Sequence, residues 1–125
     1  IMEEFQKSQD ALGNFIQARE KLETQLQENN IVKTELLQLK NKKESDRKVF
    51  KLTGGVLLPV EYDEALSNVN KRLDYINNEI KNCEASIKKE EDNLKEIQKK
   101  IQKMRQEQMD LLQKIQQQQA QKQPA

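Results

Sequence analysis

The side chains of this chain that could do chemistry are mostly cations and anions, and none of them is arranged for catalysis. Its 125 residues include 22 Lys and Arg, 21 Asp and Glu, one Cys and no His. Without His the chain lacks the commonest general base and the commonest metal ligand. Its single thiol, Cys83, cannot form an intramolecular disulfide or a metal cluster. We therefore predict no catalytic residue, no cofactor, no metal site and no enzymatic activity.

The chemistry that remains is apolar contact with other proteins, and two groups of residues are suited to it. One group is β-branched and aromatic, surrounds a Gly-Gly pair and is predicted to form an assembly interface: Val49, Phe50, Leu52, Val56, Leu57, Leu58 and Val60. The other contains flexible methionines, which suit weakly specific binding, and lies toward the two chain ends: Met2, Phe5, Met109, Leu111, Leu112 and Ile115. Both groups need helices or strands that leave them uncovered.

A long apolar ladder predicts the helix that carries most of these residues. From Leu66 to Ile115 apolar residues recur in alternating steps of three and four, interrupted only by Glu90 and Gln108. This spacing is typical of a coiled coil. Cys83 lies on the ladder, where we expect a buried, unreactive thiol. We expect Glu90 to loosen the helix pairing locally rather than to specify it.

A second, looser ladder and a glycine turn complete the predicted topology. Residues 1–44 form the first coiled-coil helix, with Ser8 and Arg19 at ladder positions, and residues 49–60 form a β-hairpin around Gly54-Gly55. Residues 61–115 form the second helix, and residues 116–125 a Gln-rich flexible tail. The predicted fold is mainly α, a long antiparallel coiled-coil helical hairpin with one small β-hairpin at its closed end.

Charge and hydropathy limit the partners that this chain can have. The formal net charge is only +1, so no overall field attracts nucleic acid or an anionic membrane. The basic cluster in residues 40–48 is interrupted by Glu44 and Asp46, which favours solvation of a helix end over nucleic-acid binding or nuclear import. No segment approaches the ~20 apolar residues of a membrane span. We predict a soluble intracellular protein.

Three stretches of the sequence are more specific than their periodicity requires. They run from Leu22 to Leu36, from Val49 to Leu58 and from Val69 to Lys81, and they include the strings E-N-N-I-V and K-R-L-D-Y-I. These stretches resemble the β-class prefoldin subunits, most closely the subunit 6 family. Generic coiled coils imitate the periodicity but not these strings in this order around a hairpin. The single hairpin is typical of the β class, because α-class subunits have two.

The resemblance implies a subunit of a cytoplasmic hexamer of two α-class and four β-class prefoldin subunits. In that family the hairpins build a shared β-barrel, and the coiled coils capture unfolded or nascent polypeptides such as actin and tubulin. Capture needs no ATP, and the clients pass to the cytosolic group II chaperonin. The resemblance makes the hairpin group the assembly residues and the group at the chain ends the client contacts, with no nucleic-acid or membrane partner.

Two alternatives stay open at this point. The chain could be a structural coiled-coil tether or scaffold subunit that binds no client. Leu111 and Ile115 could also be the last turn of a seam that other residues cover.

Overall fold

The structure is a computed structural model and describes residues 1–43 and 48–122. Its elements are helix α1 (Met2–Leu39), strand β1 (Val49–Thr53), strand β2 (Val56–Val60) and helix α2 (Tyr62–Lys122). The predicted order of helix, single β-hairpin and helix is confirmed.

The first helix is shorter than the sequence predicts. It ends at Leu39 instead of continuing to residue 44. The N–H of Lys40 donates to the carbonyl of Leu37 over 3.2 Å, and that of Lys42 donates to the carbonyl of Leu39 over 3.0 Å. These three-residue turns replace the four-residue spacing of an α-helix and end it. Glu44 lies outside the described residues.

The second helix is longer than the sequence predicts. It continues through the Gln-rich segment to Lys122 instead of ending at Ile115. Gln, Ala and Lys are good helix formers, and no Gly or Pro occurs after Pro59 until Pro124. Low sequence complexity therefore did not end the helix. Residues 123–125 of the predicted tail lie outside the described residues.

Two glycines connect the strands in the predicted two-residue turn. Gly54 and Gly55 have φ angles of 56° and 83°, and this left-handed region favours glycine. Positive φ at both central positions is the geometry of a tight hairpin turn that follows the strand twist. The strands pair antiparallel with Val49 opposite Val60 and Thr53 opposite Val56.

By its internal contacts the chain divides into two units, and one of them, Phe15–Ala85, contains the hairpin. Its core consists of side chains that are at most 9% exposed: Leu36 from α1 and Tyr62, Val69 and Leu73 from α2. The polar ladder residue Arg19 lies in this unit as well. Its guanidinium bonds Glu84 over 2.9 Å and Glu23 over 3.4 Å, and both carboxylates raise the pKa of Arg19. Cys83 is a free thiol and is half-buried rather than buried.

The other unit contains Ile1–Asn14 together with α2 from Ser86 onward. Ile97 is 4% exposed and Ser8 only 3%, while Phe5 and Ile101 are half-buried. Met2 and Phe5 line a shallow groove with Ile101 and Arg105, as expected for antiparallel helices within this unit. Each side chain described after Ile101 is exposed.

Candidate interaction surfaces

The hairpin presents one face made only of apolar residues. Directly paired residues of antiparallel strands lie on the same face, so Phe50 and Pro59 share a face with Leu52 and Leu57. Phe50 is 54% exposed, Leu52 69% and Leu57 62%. We name these four residues the hairpin face.

The other predicted assembly residues lie on the opposite face of the hairpin. Val56 and Leu58 are exposed there, whereas Val49 and Val60 are half-buried. Val49 packs against the core of its unit. The structure thus separates the seven predicted residues into five exposed and two half-buried side chains, of which Val49 packs against the core.

A groove lies between the opposite face and the two helices of this unit, and the sequence reasoning missed it. Leu36, Val49 and Val69 line it, and the cations Lys51 and Arg72 belong to its wall. The sequence signal for it was Lys51, a charge between the apolar residues Phe50 and Leu52 of strand β1.

The predicted contact residues near the C-terminal end of α2 are all exposed. Met109, Leu111 and Leu112 are 57–58% exposed and Ile115 is 42% exposed. Steps of three and four place them along one side of the helix. We name these four residues the α2 tip. Its uncovered state agrees with the prediction, whereas its role in binding stays a prediction.

The apolar side of α2 is also wider at the tip than elsewhere. Each seven-residue repeat of the ladder has two ladder positions, and the second of them is Val69 in the first repeat and Leu111 at the tip. In the six repeats before the tip, the residue directly after this second position is polar: Asn70, Asn77, Glu84, Glu91, Gln98 and Arg105. At the tip the corresponding residue is Leu112, and Met109 lies three residues before it. These two side chains add a second apolar row beside Leu111 and Ile115. The tip therefore exposes more apolar surface than a simple continuation of the two-helix seam would.

Met2 and Phe5 are placed differently from the α2 tip. Both line the groove with Ile101 and Arg105. Met2 is 64% exposed, but Phe5 is half-buried. Helix packing therefore covers part of the Phe5 side chain, and Met2 exposes more of its surface for contact with another protein.

A partly buried polar layer joins Ser8 and Glu90, the residues that interrupt the apolar ladders of the first and the second helix. Ser8 Oγ donates to Glu90 Oε1 over 2.5 Å, and Asn93 Nδ2 donates to the same oxygen over 3.3 Å. These hydrogen bonds stabilise the carboxylate and lower the pKa of Glu90. Ser8 and Asn93 therefore provide hydrogen-bond partners for the Glu90 carboxylate, and the expectation that Glu90 loosens the pairing stays a prediction.

The described residues offer few other kinds of site. Across residues 1–43 and 48–122, no group of three or more His, Cys, Asp or Glu is placed to hold a metal ion. Within those ranges, no helix is long and apolar enough to cross a membrane.

Comparison with known proteins finds relatives of this chain by sequence. A sequence profile described as prefoldin subunit matches residues 1–108. Prefoldin subunit 6 of Saccharomyces cerevisiae is 49% identical over 100 residues, which cover 80% of this chain and 84% of that protein. Prefoldin subunit 6 of Mus musculus is 40% identical over 123 residues, covering 98% of this chain and 88% of that protein.

A solved structure agrees in fold at lower sequence similarity. The crystal structure of the prefoldin beta subunit from Thermococcus strain KS-1 matches with a TM-score of 0.71 and 20% identity, covering 82% of this chain and 87% of that chain. The profile match and the two relatives confirm the resemblance found in the sequence. With its two helices, its single hairpin and its specific sequence strings, the chain belongs to the prefoldin subunit family.

Proposed function

We propose that this chain is a β-class subunit of a cytoplasmic prefoldin hexamer that contains two α-class and four β-class subunits. The hexamer captures unfolded or nascent polypeptides, such as actin and tubulin, without ATP and delivers them to the cytosolic group II chaperonin. The observation that carries the proposal is the uncovered, widened α2 tip in a member of the prefoldin subunit family.

The hairpin face supports assembly as the first step of this function. A two-stranded hairpin alone is only marginally stable in water, and both of its edges offer unpaired backbone groups. Phe50, Leu52 and Leu57 are more than half exposed. Strands from neighbouring subunits would pair with the edges and cover these side chains, so the hairpin fits a shared sheet better than a solvated loop.

The α2 tip supports client capture as the second step. Unfolded proteins expose apolar segments of varied sequence, and an acceptor for them needs apolar surface without strict shape. Met109 is flexible and polarizable, and Leu111, Leu112 and Ile115 provide branched apolar surface beside it. Several such tips in one hexamer would raise the overall affinity through multivalency even if each contact is weak.

Assembly is tested with the double variant Phe50→Asp and Leu57→Asp. Covering two carboxylates without partners costs several kcal/mol, so size-exclusion chromatography with the partner subunits should show the hexamer lost. Ile16→Asp is the matched control, because Ile16 is an exposed apolar residue outside both surfaces. Circular dichroism should stay helical for all variants, and an intact hexamer with the double variant would contradict the assembly role.

Client capture is tested by removing the chain from Gln108 onward and by the point variants Met109→Ser and Leu112→Ser. The hexamer should assemble, but it should suppress the aggregation of denatured actin less well, measured by light scattering with and without ATP. Gln113→Ser and Gln116→Ser are matched controls on the same exposed helix segment.

The outcome separates this proposal from a tether or scaffold role. If the intact hexamer does not suppress aggregation, the chain is a scaffold subunit rather than part of a chaperone. If truncated and intact hexamers act equally, the experiment is repeated with the tips of the other subunits shortened, because those tips can mask the loss. Equal activity after that change places client contact away from the α2 tip.

A further inference from the structure

The groove beside the hairpin has the size and lining of a site for one apolar side chain. Its volume is about 140 Å³, and Leu36, Val49, Val60 and Val69 line it. A protein cavity of about 150 Å³ lined by similar residues accommodates a benzene ring. One aromatic or branched side chain therefore fits into the depression.

Two cations line this apolar groove, and among residues 1–43 and 48–122 no acidic residue lines it. They are Lys51 and Arg72, and Asn68 is the only other polar lining residue in the part of the chain that the structure describes. Among residues 1–43 and 48–122, neither cation forms an ion pair within 4.0 Å. A positively charged wall around an apolar depression is complementary to an apolar residue beside a carboxylate.

The groove is continuous with the hairpin face through one residue. Phe50 belongs to the hairpin face and also lines the groove. A chain segment that covers the hairpin face from outside therefore reaches the groove within a few residues. This continuity favours an occupant that already lies against the hairpin over a client held elsewhere.

We infer that the groove receives a segment of a neighbouring subunit, in which an apolar side chain enters the depression and an adjacent Asp or Glu pairs with Lys51 and Arg72. The inference rests on the proposed function, because it requires a neighbouring subunit at the hairpin. The apolar contact supplies affinity, and the charge pairing selects which subunit lies on this side.

The test measures the association of the full-length chain with the co-purified partner subunits at about 50 and about 500 mM NaCl, since high salt screens charge pairs at the protein surface. Reversing both charges, with Lys51→Glu and Arg72→Glu, should weaken association about tenfold or more at low salt. Neutral variants, Lys51→Gln and Arg72→Gln, should lose less affinity and most of the salt dependence. The control reverses Lys21 and Lys81, two exposed cations of the same unit outside the groove.

A photo-crosslinker in place of Asn68 identifies the occupant directly in the assembled complex. The expected product joins this chain to a neighbouring subunit next to an Asp or Glu. Changing that acidic residue to Lys should restore association of the charge-reversed chain.

Two kinds of outcome would contradict these proposals, and they can be told apart. Wild-type affinity and salt dependence in the charge-reversed chain, or crosslinks only to client or chaperonin, refute this inference and leave the proposed function standing. Failure of the wild-type chain to associate with any prefoldin subunit refutes the proposed function itself.

Discussion

Shortening Leu73 tests the helix pairing that all of these surfaces depend on. Leu73 is 7% exposed and lies in the core with Leu36, Val69 and Tyr62. Leu73→Ala removes buried carbon atoms and leaves a cavity that the two helices cannot close without moving the whole seam. The expected cost in free energy of unfolding is about 3 kcal/mol, within the range of ~2–5 kcal/mol for such a change.

Leu112 provides the matched control, since the same substitution is made on the same helix at a site that is 57% exposed. Leu112→Ala should change the free energy of unfolding by less than about 0.5 kcal/mol. For a chain of this length the Leu73 variant should melt roughly 10 °C lower. The assay is urea and thermal unfolding of the isolated chain, followed by circular dichroism at the helical band.

The slope of the urea transition should be the same for both variants, because neither changes how much surface unfolding exposes. Equal losses of stability at Leu73 and Leu112 would refute the assignment of a covered seam and an uncovered tip. A large loss at Leu112 in the hexamer alone would instead mean that another subunit covers the tip.

The remaining predictions concern the polar layer and the hairpin turn. Ser8→Ala should destabilise the chain near neutral pH. Because the folded state lowers the pKa of Glu90, this loss should be present above the ordinary carboxyl pKa and should fade as the pH falls through the folded value. Urea unfolding at pH 7 and at about pH 3 measures the difference, and a loss that does not depend on pH would contradict a role for the carboxylate. Gly54 has a φ of 56° and open space around its Cβ position, so Gly54→Val should cost about 1–2 kcal/mol through backbone strain, whereas Gly54→Asn should be tolerated. Thermal unfolding compares the two, and equal stability would mean that the turn can adopt another geometry.

Several features of the fold could be read from the sequence because they depend on local chemistry. The spacing of apolar residues along one helix does not depend on which partner packs against them. The ladder from Leu66 to Ile101 therefore predicted which side of α2 is covered. Gly54-Gly55 predicted the turn because both positions need positive φ. The family strings carried the resemblance that the comparisons confirmed.

The ends of the helices were predicted less well, again for physical reasons. The first helix ends at Leu39 in tight turns, and no Gly or Pro near that position marks the end in the sequence. The second helix continues to Lys122 because Gln is a good helix former, although the low complexity of the segment had suggested a flexible tail. Composition alone does not state whether a polar segment is helical.

The sequence by itself determined the helical ladder, the glycine turn and the family, since each depends on residues close together in the chain. Tertiary structure decided which residues meet from distant parts of the chain. It paired Ser8 with Glu90 and placed Lys51 and Arg72 around one groove. Periodicity gives the side of a helix but not the residue of the partner that packs there, because that depends on the registration of the two helices. Burial and charge pairing are therefore properties of the packed chain and could be assigned only once its helices and strands were placed together.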